Sequence, residues 1–86
     1  MIVAELPIDR YDTLRSVRVK LGMSQQEAAE QIGIAEGTLR SWERDSSKIG
    51  FDYIQKIERV YGVEHRFIFF GKESTFSELM RKKNTA

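Results

Sequence analysis

Between residues 24 and 45 the chain reads Ser24-Gln25-Gln26-Glu27-Ala28-Ala29-Glu30-Gln31-Ile32-Gly33-Ile34-Ala35-Glu36-Gly37-Thr38-Leu39-Arg40-Ser41-Trp42-Glu43-Arg44-Asp45. Ser24 and Glu27 fit a capping box, in which the serine oxygen accepts the N–H three residues on and the glutamate reaches back to the serine amide. A helix is predicted to start there, with Ala28, Ala29 and Ile32 as its apolar residues. Gly33 follows at once and can take the positive φ of a sharp turn. Beyond the turn a second helix is predicted over residues 35–45. Ile34 is expected to be buried at its entry, with Leu39 and Trp42 on one face and a polar opposite face.

Upstream, Pro7 marks the boundary between an apolar leader, residues 1–8, and a folded unit that begins near Asp9. Leu14, Val17 and Leu21 recur at helical spacing with Arg15, Arg18 and Lys20 between them, and Gly22 supplies a stop. Downstream, after a loop around Ser46 to Gly50, the pattern Ile54, Ile57, Val60, Tyr61 makes a fourth helix that Gly62 ends. Val63, Phe67 and Ile68 suggest a short fifth helix before Gly71. In the tail, residues 72–86, Thr75-Phe76-Ser77-Glu78 is a second capping-box pattern, with Phe76, Leu79 and Met80 ahead of Arg81-Lys82-Lys83. It allows an extra C-terminal helix. The expectation is an all-α fold: a compact five-helix domain over residues 9–71 with a short leader and a tail.

Composition narrows the function. A chain of 86 residues, 41% of them hydrophobic, suits one compact domain with little core to spare. There is no cysteine and a single histidine, His65, so neither disulfides nor a metal centre is expected, and no cofactor. No apolar run is long enough to span a bilayer, and the start lacks a basic leader with a long apolar stretch, so a cytoplasmic protein without a membrane partner is expected. Fourteen basic against thirteen acidic residues leave a net charge of +1, so any nucleic-acid surface must be a local patch. Enzymatic activity is not expected, since no nucleophile with its base, phosphate-cradling glycine loop or metal cluster is visible.

Two short helices joined by a glycine turn, the second amphipathic, make a unit that can present a helix to the major groove. At this point the sequence resembles the phage-repressor and Cro-like helix-turn-helix family, whose domain is five-helix and all-α. The resemblance covers about Leu14 to Gly71. It rests on Leu14-Arg15-Ser16-Val17-Arg18, Gly22-Met23-Ser24-Gln25, Glu27-Ala28-Ala29, Ile32-Gly33-Ile34, Thr38-Leu39-Arg40-Ser41-Trp42-Glu43-Arg44 and Tyr61-Gly62-Val63.

The resemblance implies that Gln25 clamps a backbone phosphate and braces the first base contact, and Gln26 beside it is taken as DNA-facing too. Helix N-termini present free N–H groups and a positive dipole end, which suits phosphate oxygens. Bases would be read from Glu36, Gly37, Arg40 and Ser41, with Ala35 and Thr38 nearby. Residues 36, 40 and 44 share one stripe of the helix and 37 and 41 the next, away from Leu39 and Trp42, which hold the helix from behind. Arg40 is the expected direct reader, because its guanidinium fork fits guanine O6 and N7. Glu36 is suited to a cytosine amino group, though an acidic first-turn residue also favours a helix with no ligand at all. Arg44 and Lys48 are expected on phosphates. Arg18 and Glu43 match a pair that ties the first helix to the end of the third.

The chain also departs from the family. Ala28 stands where a larger aliphatic residue is usual, so Trp42, or Phe51 with Tyr53, is expected to fill the space. Ala35 replaces a capping Ser or Thr, a loss of about 1 kcal/mol. The loop has Asp45 and Ile49 in place of the usual Gly and Pro. The expected partner is a palindromic double-stranded operator bound by a homodimer, because one recognition helix makes few contacts. A transcriptional regulator of phage or prophage type is the leading function. The competing one is an antitoxin-like or adaptor protein-interaction module that also binds DNA, with the apolar leader or the C-terminal tail as its contact.

Overall fold

The computed structural model describes residues 7–84; residues 1–6 of the leader and residues 85–86 lie outside the described residues. Five α-helices follow one another: α1 (Leu14–Lys20), α2 (Gln25–Ile32), α3 (Glu36–Arg44), α4 (Phe51–Tyr61) and α5 (Glu73–Asn84). Short 3-10 turns occupy Ile8–Arg10 and His65–Phe67. The all-α architecture expected from the sequence is observed, with five α-helices in all, four of them within residues 9–71 and the fifth in the tail.

Local chemistry sets the starts of α1 and α2. Before α1, the Ser16 N–H donates to Thr13 Oγ1 at 3.1 Å and the Thr13 N–H to Ser16 Oγ at 2.8 Å. That box uses a serine where glutamate or glutamine is usual, and the sequence pattern did not single it out. At α2 the predicted box is formed, with the Glu27 N–H donating to Ser24 Oγ at 3.0 Å and the Ser24 N–H to Glu27 Oε1 at 3.1 Å. Gly33 ends α2 at φ 88°, a left-handed conformation that favours glycine. The Gly33 and Ile34 amides both donate to the Ala29 carbonyl, at 2.8 and 2.9 Å, which fixes the angle between α2 and α3. Ala35 precedes α3 without offering a side-chain cap.

One buried cluster joins the elements: Leu14 and Val17 from α1, Ala28, Ala29 and Ile32 from α2, Leu39 from α3, Ile57 and Tyr61 from α4, with Ile49 and Ile68 from the connections. Leu39 is wholly removed from solvent, a burial of about 1.5–3 kcal/mol that holds α3 against α2. Trp42 packs on the same cluster from its edge and meets Tyr53 edge-on, with ring centroids 5.4 Å apart.

Four expectations need correction. The fifth helix before Gly71 is only the 3-10 turn His65–Phe67, because Asp12 takes hold of the chain there. Its N–H donates to the Phe67 carbonyl at 2.8 Å and its carbonyl accepts the Phe69 N–H at 2.8 Å. Extended pairing leaves too few residues to nucleate a helix, and Phe67 ends half-buried under the Arg66 guanidinium rather than in the core. Leu21 is exposed, since α1 stops at Lys20 and Leu21 falls on the cap before the turn. Phe51 does not fill the space beside Ala28, for it is 61% exposed. The tail helix begins at Glu73, not at Thr75, since the Thr75 and Phe76 amides already bond to the Lys72 carbonyl at 3.0 and 3.1 Å.

The chain ahead of α5 is fastened to the α3–α4 connection, and this explains the earlier start. Buried Ser46 donates its N–H to the Gly71 carbonyl at 3.0 Å, and its Oγ accepts the Gly71 N–H at 3.0 Å. Asp45 and Lys72 form an antiparallel bridge beside it. From this anchor α5 folds back against α3 and the Ile8–Arg10 turn, with Phe76 against Phe69 and Lys83 Nζ 3.6 Å from Asp9 Oδ1.

Candidate nucleic-acid interface

α3 presents Glu36, Gly37, Thr38, Arg40, Ser41 and Arg44 to solvent, with Ala35 exposed just before it, while Leu39 and Glu43 are buried behind. The helix is therefore held by one face and open along the other. Gln25, Arg40 and Arg44 come together in a cleft of about 400 Å³ between α1, the start of α2 and α3, lined also by Arg15, Arg18, Glu43 and Glu73. Gln26 and Lys48 are exposed but lie outside that cleft.

The cleft floor is a buried ion pair. Arg18 Nε donates to Glu43 Oε2 at 2.6 Å and Nη2 to Oε1 at 3.1 Å, with the two side chains 11% and 5% exposed. Arg18 Nη1 also donates to the Met23 carbonyl at 2.9 Å. The fork holds α1, the α1–α2 connection and the end of α3 in one register. The bond to Glu43 raises the Arg18 pKa, against an opposing effect of burial. Close by, the Tyr61 hydroxyl is buried without a hydrogen-bond partner, and burial, with the Glu43 charge behind it, pushes its pKa up to about 12.

Gln25 Nε2 donates to Glu43 Oε1 at 3.0 Å. An amide NH2 carries two donor hydrogens, so this bond orients the side chain and leaves one hydrogen for an oxygen outside. On the α3 surface Arg40 Nη2 meets Glu36 Oε2 at 3.0 Å, with the side chains 55% and 45% exposed. Arg44 Nη2 lies 3.5 Å from Ser41 Oγ. A solvated pair of the Glu36–Arg40 kind is worth about 0–1 kcal/mol, so Arg40 exchanges this partner for another acceptor at small cost.

Of these arrangements, the Glu36–Arg40 pair stands at i,i+4 spacing, a local signal, but the pair was not among the expectations. The Gln25–Glu43 bond and the place of Glu73 in the cleft join residues far apart in sequence and left no local signal. Among the described residues no group of side chains is arranged to hold a metal ion, and no helix is long and apolar enough to cross a membrane.

A family model described as Helix-turn-helix matches residues 14–68. The chain belongs to the helix-turn-helix family of Cro and phage-repressor type. Within the matched segment the helix-turn-helix itself is α2, Gly33 and α3, and α5 lies beyond it. The chain is 31% identical to an uncharacterized HTH-type transcriptional regulator of Sinorhizobium medicae, over 73% of this chain and 47% of that protein. It is 32% identical to the HTH-type transcriptional regulator ImmR of Bacillus subtilis, over 84% of this chain and 53% of that one. The cryptic phage CTXphi transcriptional repressor RstR of Vibrio cholerae is 24% identical over 81% of this chain and 63% of its own length. The helix-turn-helix chain thus spans about half the length of the relatives it matches.

Proposed function

We propose that this helix-turn-helix protein is a sequence-specific double-stranded-DNA-binding transcriptional regulator that places α3 in the major groove. One observation carries the proposal: the polar stripe of α3 is open to solvent while Leu39 anchors the helix from beneath. The major groove admits a helix of this kind. Arg40 reads a guanine through its fork and Glu36 accepts from a cytosine amino group. Gly37 lacks a side chain and lets the backbone come close, and Ser41, Thr38 and Ala35 lie along the same edge. Gln25 gives its remaining N–H to a phosphate, with Gln26, Arg44 and Lys48 holding the flanking backbone. Relatives named as a transcriptional repressor and as transcriptional regulators support the regulatory role.

The binding unit is a homodimer on a palindromic operator, since one recognition helix buries too little surface for specific affinity, and two-fold proteins meet half-sites about 34 Å apart. Selection of bound duplexes from a random pool tests the proposal. An inverted repeat with half-sites one helical turn apart, or a multiple of it, is the expected product. A pool that emerges unenriched, or a protein that ignores every duplex at low ionic strength, refutes it.

A further inference from the structure

α5 begins beyond the segment matched by the family, yet it packs against α3 and sends its first residue into the cleft. Half-buried Glu73 lines that cleft with Arg15, Arg18, Arg40 and Arg44. It lines a second depression too, together with Arg15 again and with Lys20. The anchor described above, Ser46 to Gly71 and Asp45 to Lys72, ends one residue before Glu73, so the carboxylate is held beside the end of α3.

The charges around it are unevenly satisfied. Arg18 is held by Glu43 and Arg40 by Glu36. Among the described residues Arg15 and Arg44 have no carboxylate within ion-pair distance, and Glu73 has no cation within it. Among the described residues, an anion entering the cleft therefore meets two guanidinium groups with no ion-pair partner and one carboxylate with none. A phosphodiester is the anion that the rest of the face would bring there.

We infer that Glu73 is a built-in brake on backbone binding: the C-terminal helix holds a negative charge against the phosphate that Arg15 and Arg44 attract. The inference rests on α3 facing DNA. Because Glu73 lies on the phosphate side and not on the base-reading stripe, it lowers affinity for operator and bulk DNA alike. Its effect is on the overall strength and salt dependence of DNA binding, and the preference for operator over bulk sequence is left unchanged.

The test is fluorescence anisotropy of the full chain and its Glu73→Gln, Glu73→Ser and Glu73→Asp variants, on a pool-selected duplex and a scrambled one, across a salt series. Helicity is followed by circular dichroism, and the two neutral variants back each other should one fold poorly. Glu73→Gln and Glu73→Ser should bind both duplexes roughly three- to tenfold more tightly at low salt, as for removal of one partly screened like charge. The slope of log K against log salt should steepen by up to about one. Glu73→Asp, which keeps the charge, should stay near the parent chain. In an Arg15→Gln background the gain should shrink, a response that a merely structural role for Glu73 does not give. Unchanged or weakened binding by folded neutral variants overturns the brake while leaving the DNA reading intact. Failure of the parent and the neutral variants to bind any duplex defeats both.

Discussion

Gln25 donates to the Glu43 carboxylate at 3.0 Å, and that same carboxylate receives the Arg18 fork. The side chain expected to touch phosphate is thus braced by the ion pair that fixes the end of α3. Gln25 and the end of α3 share one support, so if Gln25 holds a phosphate as proposed, that contact would also set the register of α3 over the bases.

Removing one member of this pair leaves a buried charge unpaired. Glu43→Ala should lower stability by about 3–5 kcal/mol, and replacing Arg18 and Glu43 together with methionine should recover much of that loss. Urea melts check both. If the role is architectural, operator preference at concentrations where Glu43→Ala is folded should stay close to that of the parent.

Two glycines should respond in opposite directions. Gly33 sits at φ 88° and Gly37 in the body of α3, and a Cβ at either meets no atom within 4 Å. Gly33→Ala therefore costs about 1 kcal/mol through backbone strain alone, whereas Gly37→Ala should gain roughly 0.5–1 kcal/mol from helix propensity. If α3 faces DNA, the stabilised Gly37→Ala protein should also bind the operator differently. Thermal melts paired with anisotropy measure both effects.

The orphaned Tyr61 hydroxyl gives a pH signature. Its pKa is raised from 10.0 to about 12, so the folded chain keeps the proton over a range where the unfolded chain releases it. The stability it contributes is present below pH 10 and falls as pH rises toward about 12. Tyr61→Phe should be as stable as the parent near neutrality or more so by about 1 kcal/mol, since it removes a buried unsatisfied group. It should lack this component of the alkaline decline, as melts across the range would show.

Much of the fold was legible because its signals are local. Ser24 with Glu27 marks the start of α2, Gly33 the turn, and the spacing of Leu39 and Trp42 the inner face of α3. What the sequence did not disclose depends on partners distant along the chain. Asp12 draws Phe67 to Phe69 into extended pairing, and this cancels a helix that local periodicity favoured. Ser46 looks like one more loop serine until Gly71 is seen on both its backbone and its hydroxyl. At the candidate site the polar stripe was readable from helical geometry, but Arg15 and Glu73 enter the cleft only through tertiary packing.

The sharpest test sets Arg40→Ala beside Lys48→Ala on an operator in which each base pair is changed in turn. If α3 reads bases through Arg40, Arg40→Ala should lose about 1–3 kcal/mol on the intact operator and nothing further when its guanine is already replaced. Lys48→Ala should weaken every duplex alike and flatten the salt dependence. An Arg40→Ala protein that weakens equally on all the duplexes, or on none, would contradict a base-reading role for the exposed stripe of α3.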